Sequence, residues 1–497
     1  MNNLIPKKKL FFKDERIAII DIGSDTVRFQ IFENFRYNQI AIFNKKISCG
    51  LGKDLIKNNK LNKDSIKKAM NAFYYIKELI DSSNIKNYEI FATEAVRVAK
   101  NREAFIADVE NIFKKKIHVL NGNEEAKFSA MGCIVGLKKS SGLVADLGGG
   151  SLELAEVKKK EIMNTLSLPL GVHRAKTKNK KIIEKFKNSL QNTEWLNENK
   201  FKRVILTGGT WRALVKLYFD KYSYPLKVIH HFKPDFDNFV SMLEEVSNFK
   251  KKDLLQYSLI TKDKTPFIRY AAKVALEIIN KTSARQVVIS YTAIREGYLS
   301  NKINLSSNSD PLEYQSLKVA AISNELNPST VNYENIKLFT NNFFKRKSYL
   351  NKRIRVSSIS YLSTGDSIAR DERGLFVFKQ ILKSEILKFS HSDRVTLATV
   401  IYVFHNGIDL NEIKDYRKVI NKNKLLSSIE LGLFLRIVYE IGKLSNFNYS
   451  NISIYVKDSN LIFSIPKNYS ELLNSRFNKF ILMLSKHKKL SQKIIFV

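Results

Sequence analysis

An α/β protein of two related domains facing each other across a cleft, followed by a mainly helical region, is the fold class that the sequence predicts. Three observations carry that expectation. The first is Gly142 to Val157, GLVADLGGGSLELAEV, where an apolar strand ends at Asp146, three glycines make a turn and an alternating strand follows. The second is IAIIDIGSDTVRFQIFE, Ile17 to Glu33, which repeats the order with Asp21 at the strand end and Gly23 and Ser24 in the turn. One such unit is unremarkable, but two with the aspartate in the same place read as an internal repeat. The third is that this glycine-turn chemistry stops beyond Ile303, where the chain becomes mostly helical.

The totals bound the problem. A length of 497 residues corresponds to about three domains, and 44% hydrophobic content supplies globular cores and excludes disorder as the default. Lys and Arg outnumber Asp and Glu by 84 to 48, a formal charge of +36, which favours a polyanionic partner: nucleic acid, anionic lipid or a phosphate polymer. The chain is rich in Lys, Asn and Ile together, so compositional bias accounts for most of these lysines. Cys49 and Cys133 are the only cysteines, too few for a disulfide framework and not spaced as a zinc motif. A reducing cytoplasm is therefore expected. The start, MNNLIPKKKLFFKDER, has no apolar core of a signal peptide, and no stretch reaches the roughly 18 to 20 apolar residues of a membrane span. A soluble, unexported chain with no membrane partner follows.

In the two repeats the turns carry the chemistry. Glycines cost backbone entropy, so Gly148, Gly149 and Gly150 imply positive φ or a backbone approach too close for a Cβ. Successive N–H groups in such a turn make an anion nest, and an aspartate at the strand end can hold a metal against a bound phosphate. A tight hairpin without a ligand is the equal alternative for this stretch alone.

Between the repeats, LNKDSIKKAMNAFYYIKELIDSSN is an amphipathic helix with Ile66, Met70, Phe73, Ile76 and Ile80 near one face. YEIFATEAVRVAKNREAFIADVENIF is a strand, a loop with Thr93 and Glu94, and a helix. Arg97 and Arg102 lie there, where an arginine can bind phosphate bidentately or pair with Glu94 or Glu103. In NGNEEAKFSAMGCIVGL, Asn123 is placed to cap a helix whose first turn holds Glu124 and Glu125; the helix dipole alone accounts for one of these acids.

After the second repeat, LSLPLGVHRAKTKNKKIIEKFKNSL passes from a strand to a basic helix, with Gly171, His173 and Arg174 at the change. FKRVILTGGTWRALVKLYF is a further strand, turn and helix: Gly208 and Gly209 permit close approach, and Thr210 is placed to cap a helix that would attract an anion. ARQVVISYTAIREGYLS repeats the order, with Arg295, Glu296 and Gly297 opening a helix. NLSSNSDPLEYQ reads as a polar linker, followed by helices, one hairpin, ISIYVKDSNLIFSIP, and a last amphipathic helix, YSELLNSRFNKFILMLSKHKKL, which leads to the end. The expected domains are 1–136, 137–305 and 306–497.

Taken together, DIGSDTVR, ATEAVR, NGNEEA, DLGGGSLEL, GGTWRAL and REG, in that order, resemble the exopolyphosphatase and guanosine pentaphosphate phosphatase family, a branch of the actin, Hsp70 and sugar-kinase superfamily. The resemblance implies two ribonuclease-H-like domains with an interdomain cleft and Mg²⁺-dependent or other divalent-cation-dependent release of terminal orthophosphate from inorganic polyphosphate. By the same resemblance, Glu125 is similar to the general base, Asp146 and Glu153 to the metal-holding acids, and Arg97 to a phosphate-contacting arginine. The turns Gly23, Ser24, Asp25 and Gly148, Gly149, Gly150, Ser151 match the phosphate loops, and Gly208, Gly209 and Thr210 add a third phosphate-binding turn. Asp25 departs from the family's usual asparagine, which puts an extra negative charge near a polyanion. A homodimer is also implied.

Longer members of that family add a helical region related to the HD phosphohydrolases. Here the nearest text is HSDR, with His391 and Asp393, and His405 further on. The His-Asp adjacency that a metal site needs is broken, so an accessory polyphosphate guide or dimer surface is expected. Guanosine pentaphosphate is the alternative substrate, because it too presents a terminal phosphoanhydride. A catalytically weak polyphosphate- or nucleic-acid-binding protein is the alternative of a different class. Intact Glu125, Asp146 and Glu153 speak against it, and no aromatic-basic motif supports a specific nucleic-acid partner.

Overall fold

β1 (Arg16–Ile22) and β2 (Thr26–Glu33) form the antiparallel hairpin of the first repeat, and β3 (Ala41–Ser48) extends it antiparallel to β2. β4 (Asn87–Ala92) and β5 (His118–Val119) continue the sheet in parallel on the other side of β1, giving the order β3-β2-β1-β4-β5. The computed structural model describes residues 16–53, 55–173, 179–198, 201–250, 253, 257, 265–303, 310–326, 333–344, 350–442, 452–467, 470 and 475–497. These fall into two units, one within Asp14–Asn308 and one within Ser309–Val497.

The second repeat builds the same sheet again. β6 (Gly142–Leu147), β7 (Leu152–Lys158) and β8 (Glu161–Leu168) form an antiparallel meander. β9 (Val204–Thr207) and β10 (Val287–Ile289) follow in parallel, so the order β8-β7-β6-β9-β10 matches the first sheet strand for strand. The register agrees residue by residue: Asp21 lies opposite Arg28, and Asp146 opposite Glu153. Each turn closes on the same bond, Gly23 N–H to Thr26 O and Gly148 N–H to Ser151 O, both 3.0 Å. The repeat read from the sequence is thus a duplicated fold with its two turns at equivalent strand ends.

Local sequence explains the helices that frame these sheets. α1 (Lys63–Ser82) starts where the Asn62 side chain accepts from the Asp64 and Ser65 N–H groups. It buries Ala69, Ala72, Phe73, Ile76 and Ile80, while Ile66 and Met70 are only partly covered. α2 (Glu94–Arg97) is a single turn after β4, and α3 (Arg102–Phe113) packs Phe105, Val109 and Phe113 into the same core. α4 (Gly122–Gly136) is capped by Asn121, not Asn123. The reason is the capping box: the Asn121 side chain takes the Glu124 N–H, and Glu124 returns to the Asn121 N–H.

α5 (Gly209–Lys221), α6 (Phe236–Asn248) and α7 (Thr265–Thr282) surround the second sheet, and α8 (Ile294–Lys302) closes the unit. Thr210 does not cap α5; Gly208 holds the cap position at φ +111 with no side-chain cap bond, and Thr210 is buried one residue inside the helix. α4 and α8 pack on each other between the two cores. Phe128 and Tyr298 face the first sheet, and Ala130 and Cys133 face the second. Gly132 and Gly297 make that crossing possible, since a Cβ on either would lie 1.8 Å from a backbone oxygen, of Ala293 and Phe128 respectively. The helices that carry Glu125 and Arg295 are therefore fixed against both sheets.

The second unit is mainly helical. Its helices are α9 (Pro311–Leu326), α10 (Tyr333–Phe343), α11 (Lys352–Ser360), α12 (Arg373–Lys383), α13 (His391–Asn406), α14 (Lys422–Gly442) and α15 (Ser475–Lys488). Of the expected polar linker, residues 304–309 lie outside the described residues, and Pro311 onward is already helix. The expected hairpin is β11 (Ser453–Lys457) and β12 (Asn460–Ile465), turning through left-handed Asp458 and Ser459. The tail departs from expectation. Helix α15 ends at Lys488, Lys489 takes φ 55, and Ser491–Phe496 forms β13, parallel to β12. The apolar IIF pairs with an open strand edge, which helical periodicity alone does not reveal.

Candidate active site

Between the two sheets of the first unit lies a cleft of about 200 Å³ that opens to solvent. Its lining includes Gly23, Ser24 and Asp25 from the β1–β2 turn, Gly148, Gly149, Gly150 and Ser151 from the β6–β7 turn, and Gly208, Gly209 and Thr210 before and within α5. Glu125, Asp146 and Glu153 line it as well. Arg97 is not among the lining residues; it stands behind Glu125.

The turns approach one another closely. A Cβ on Gly149 would lie 3.0 Å from Ser24 Cβ and 3.1 Å from the His173 ring, and one on Gly150 would overlap the Glu94 carboxylate. Gly208 is similarly pressed, 2.9 Å from Asp146 Oδ1 by the same construction. The ends of β1, β6 and β9 thus bring bare backbone to one place. The segment after β8 is stitched to the second turn by Gly171 N–H to Gly150 O, Val172 N–H to Gly148 O and His173 N–H to Gly149 O, at 2.9 to 3.1 Å. Arg174, the neighbour read with these residues, lies outside the described residues.

The carboxylates are buried and each has a holder. Glu125, in the first turn of α4, faces inward while its neighbour Glu124 serves the capping box. Arg97 Nη1 donates to Glu125 Oε2 at 2.5 Å and to Leu120 O at 2.6 Å. Thus Arg97 pairs with neither Glu94 nor Glu103. Ser129, one turn further along α4, donates to Asp146 Oδ2 at 2.6 Å. Ser167 on β8 donates to Glu153 Oε1 at 3.1 Å.

Burial sets the proton affinities. The Glu125 carboxyl is pushed up to about 7, mainly by desolvation; the Arg97 contact opposes this, and Glu94 and Asp146 add to it. Desolvation also raises Asp146, against the Ser129 bond and the charges of Arg212 and Arg295. Glu153 is raised well above the usual carboxylate range by burial, then by Glu125 and Asp146, with Ser151 and Ser167 easing it. Three mutually repelling acids in one cleft favour a cation beside them.

Three arginines line the same cleft: Arg28, Arg212 and Arg295. Arg295 Nη1 lies 2.9 Å from Asp21 Oδ2, and its Nε donates to Gln30 Oε1 at 2.7 Å. Asp21, the counterpart of Asp146, is therefore already neutralised. Arg28 and Arg212 pair with no carboxylate among the described residues. Burial and the other two guanidiniums lower Arg28 to about 10. Burial and Arg295 lower Arg212, which lies over the Tyr291 ring at 5.3 Å. Such cations call for an anion.

Arg28, Lys46, Ser129 and Arg212 are the cleft residues that sequence reasoning overlooked. Three of them carry a periodic signal: Arg28 stands two residues past Thr26 on the same strand face, Ser129 one helical turn past Glu125, and Arg212 in the first turn after the Gly208 cap. In the second unit, His391 and His405 both lie on α13, 14 positions apart, or about 21 Å at the helical rise. They do not converge on one ion, and Asp393 sits in the first turn beside the Ser390 cap.

The sequence profile of the Ppx/GppA phosphatase family matches residues 36–305. Among curated relatives, the bifunctional 3-dehydroquinate synthase/phosphatase of Fusobacterium nucleatum is 32% identical over 196 residues, covering 37% of this chain and 30% of that protein. Exopolyphosphatase 1 of Mycobacterium leprae is 27% identical over 162 residues, covering 32% of this chain and 48% of that protein. The chain thus spans between about a third and a half of the length of these relatives. Among solved structures, the Aquifex aeolicus member of the Ppx/GppA protein family aligns with 59% of this chain and 99% of its own at a TM-score of 0.52 and 22% identity. That likeness establishes the shared fold of the first unit.

Proposed function

The chain belongs to the Ppx/GppA phosphatase family, and on that premise we propose that it is an exopolyphosphatase, hydrolysing the terminal phosphoanhydride bond of inorganic polyphosphate to release orthophosphate. The observation that carries this reading is the division of charge in the cleft. Glu125, Asp146 and Glu153 are one group of lining residues, Arg28 and Arg212 another, and bare-backbone turns complete the wall. A phosphate chain needs all three: an acceptor for the water's proton, compensation of its oxygens, and N–H donors.

In this reading Glu125 is the base. Its carboxyl, lifted by burial and steadied by Arg97, is poised near neutral pH to accept a proton from the attacking water. Arg28 and Arg212 compensate phosphate oxygens, while the N–H groups of Gly148 to Ser151 and Gly23 to Asp25 cradle them. Arg97 holds the base rather than the substrate.

A divalent cation fits this donor set. Asp146 and Glu153 offer hard oxygen ligands, but no three acidic, His or Cys residues among those described converge into a ready-made cluster. That matches Mg²⁺ held by one or two carboxylates with phosphate oxygens and water completing the shell. When bound, the ion supplies charge neutralisation at the phosphoryl group. The second unit, with no convergent HD ligand set among its described residues, would serve as a polyphosphate guide or the surface of a homodimer. Buried, unpaired Cys49 and Cys133 suit a reducing cytoplasm.

Phosphate release from long polyphosphate, measured beside guanosine pentaphosphate with Mg²⁺, tests the proposal. Faster release from polyphosphate supports it; faster release from guanosine pentaphosphate moves the substrate assignment to the nucleotide, and release from neither removes the activity.

A further inference from the structure

The first turn poses a problem that the second one answers. Asp25 stands in the cradle of Gly23 and Ser24, where its carboxylate would repel a bound polyanion. Like charges brought together at a binding surface weaken association. Across the cleft, the imidazole Nε2 of His173 lies 2.6 Å from Asp25 Oδ1. The contact is one of proximity without hydrogen-bond alignment, since Nε2 has no hydrogen-bond partner among the described residues.

The imidazole is held there by its surroundings. Its backbone N–H is bonded to Gly149 O, so the residue belongs mechanically to the second turn while its side chain reaches the first. The Phe267 ring meets it edge-on at 5.6 Å, and the missing Cβ of Gly149 leaves room for the ring. His173 is largely covered, at 16% side-chain exposure, whereas Asp25 is 43% exposed. The carboxylate thus remains open to solvent and ligand while its partner is fixed.

We propose that His173 is a positioning residue that makes Asp25 compatible with a phosphoanhydride polyanion: its imidazole, set against the Asp25 carboxylate from the second turn, holds that side chain in place, so that the first turn can still cradle phosphate. The inference rests on the phosphate-binding reading of the cleft. It assigns His173 no part in proton transfer to substrate.

A double-substitution cycle tests it. Binding of inorganic tripolyphosphate is measured by calorimetry for the parent chain, His173→Ala, Asp25→Asn and the double variant, with polyphosphate turnover alongside. His173→Ala removes the imidazole from the Asp25 carboxylate, and tripolyphosphate binding should weaken roughly tenfold, with KM rising more than kcat falls. In the double variant the repelling charge is absent, so binding should return to the level of Asp25→Asn. A merely structural role for His173 would give no such rescue. Unchanged binding in His173→Ala, or a double variant no better than His173→Ala, overturns the proposal. If the alanine variant does not fold, His173→Asn takes its place in the cycle with the same expectations. Lys46→Ala is the control, since Lys46 also lines the cleft; rescue by Asp25→Asn there and not with His173→Ala transfers the role to Lys46. Failure of the parent chain to release phosphate from any polyphosphate would sink the enzymatic reading, while the binding cycle would still decide the role of His173.

Discussion

Arg28 and Glu153 occupy the same place in two copies of one fold. Each lies opposite the strand-end aspartate of its hairpin, Asp21 or Asp146, in the same register, and each lines the cleft. The two hairpins are thus equivalent jaws with a cationic residue at this position in one and an acidic residue in the other. The strand-end aspartates differ likewise: Asp21 is paired with Arg295, while Asp146 takes a hydroxyl bond from Ser129 and no ion pair among the described residues. On the proposed reading, the acids of the second jaw serve a cation and the guanidinium of the first serves phosphate.

Arg28 should consequently weaken the fold while serving the ligand. Its lowered proton affinity, caused by burial and by Arg295 and Arg212, measures a cost carried by the folded state. Arg28→Ala is expected to melt no lower than the parent chain while binding tripolyphosphate about tenfold more weakly, the scale of one charge-assisted contact. Calorimetric melting and titration together check this; a variant that melts lower and binds normally assigns Arg28 a structural role.

The rise of Glu125 to about 7 sets a pH dependence. A base must be ionised, so kcat/KM should climb as pH rises through about 7 and level off above it. The stability sign is separate: the unfolded carboxyl ionises near 4.5, the folded one near 7, so raising pH between them favours the unfolded chain. Arg97→Ala removes an interaction that lowers the Glu125 value, so the rising limb should move to higher pH. A pH–rate profile that stays in place detaches Arg97 from the base.

The α4–α8 crossing is sterically tight. Gly297→Ala would put a methyl group 1.8 Å from Phe128 O, against helix backbone that cannot yield cheaply. A loss of about 1–3 kcal/mol is expected, typical of overpacking, and it should disturb Arg295, two residues earlier in α8. Chemical denaturation reads the first effect; an unaltered midpoint would mean that the helices separate freely.

Much of this was legible in sequence because the repeat is local. The strand, aspartate and glycine turn lie within one short segment, and two copies predict two sheets with facing turns. What stayed hidden depends on partners distant in sequence. Arg97 reaches Glu125 only because β4 and α4 converge, and Arg28 gains its meaning from a register shared with Glu153. Helix caps failed in detail where neighbours competed for them: Asn121 displaced Asn123 because only it had a glutamate three residues on, and Gly208 displaced Thr210 through a positive φ. The strand at Ser491–Phe496 needed the edge of β12, and no local pattern announces an edge.

The most direct measurement is orthophosphate release from long polyphosphate with Mg²⁺ by the parent chain and by Glu125→Gln, with tripolyphosphate binding recorded for both. The account predicts turnover in the parent, a loss of about 10² to 10⁴ in kcat for the variant, and binding within a few-fold of the parent. Near-normal turnover by Glu125→Gln would contradict it.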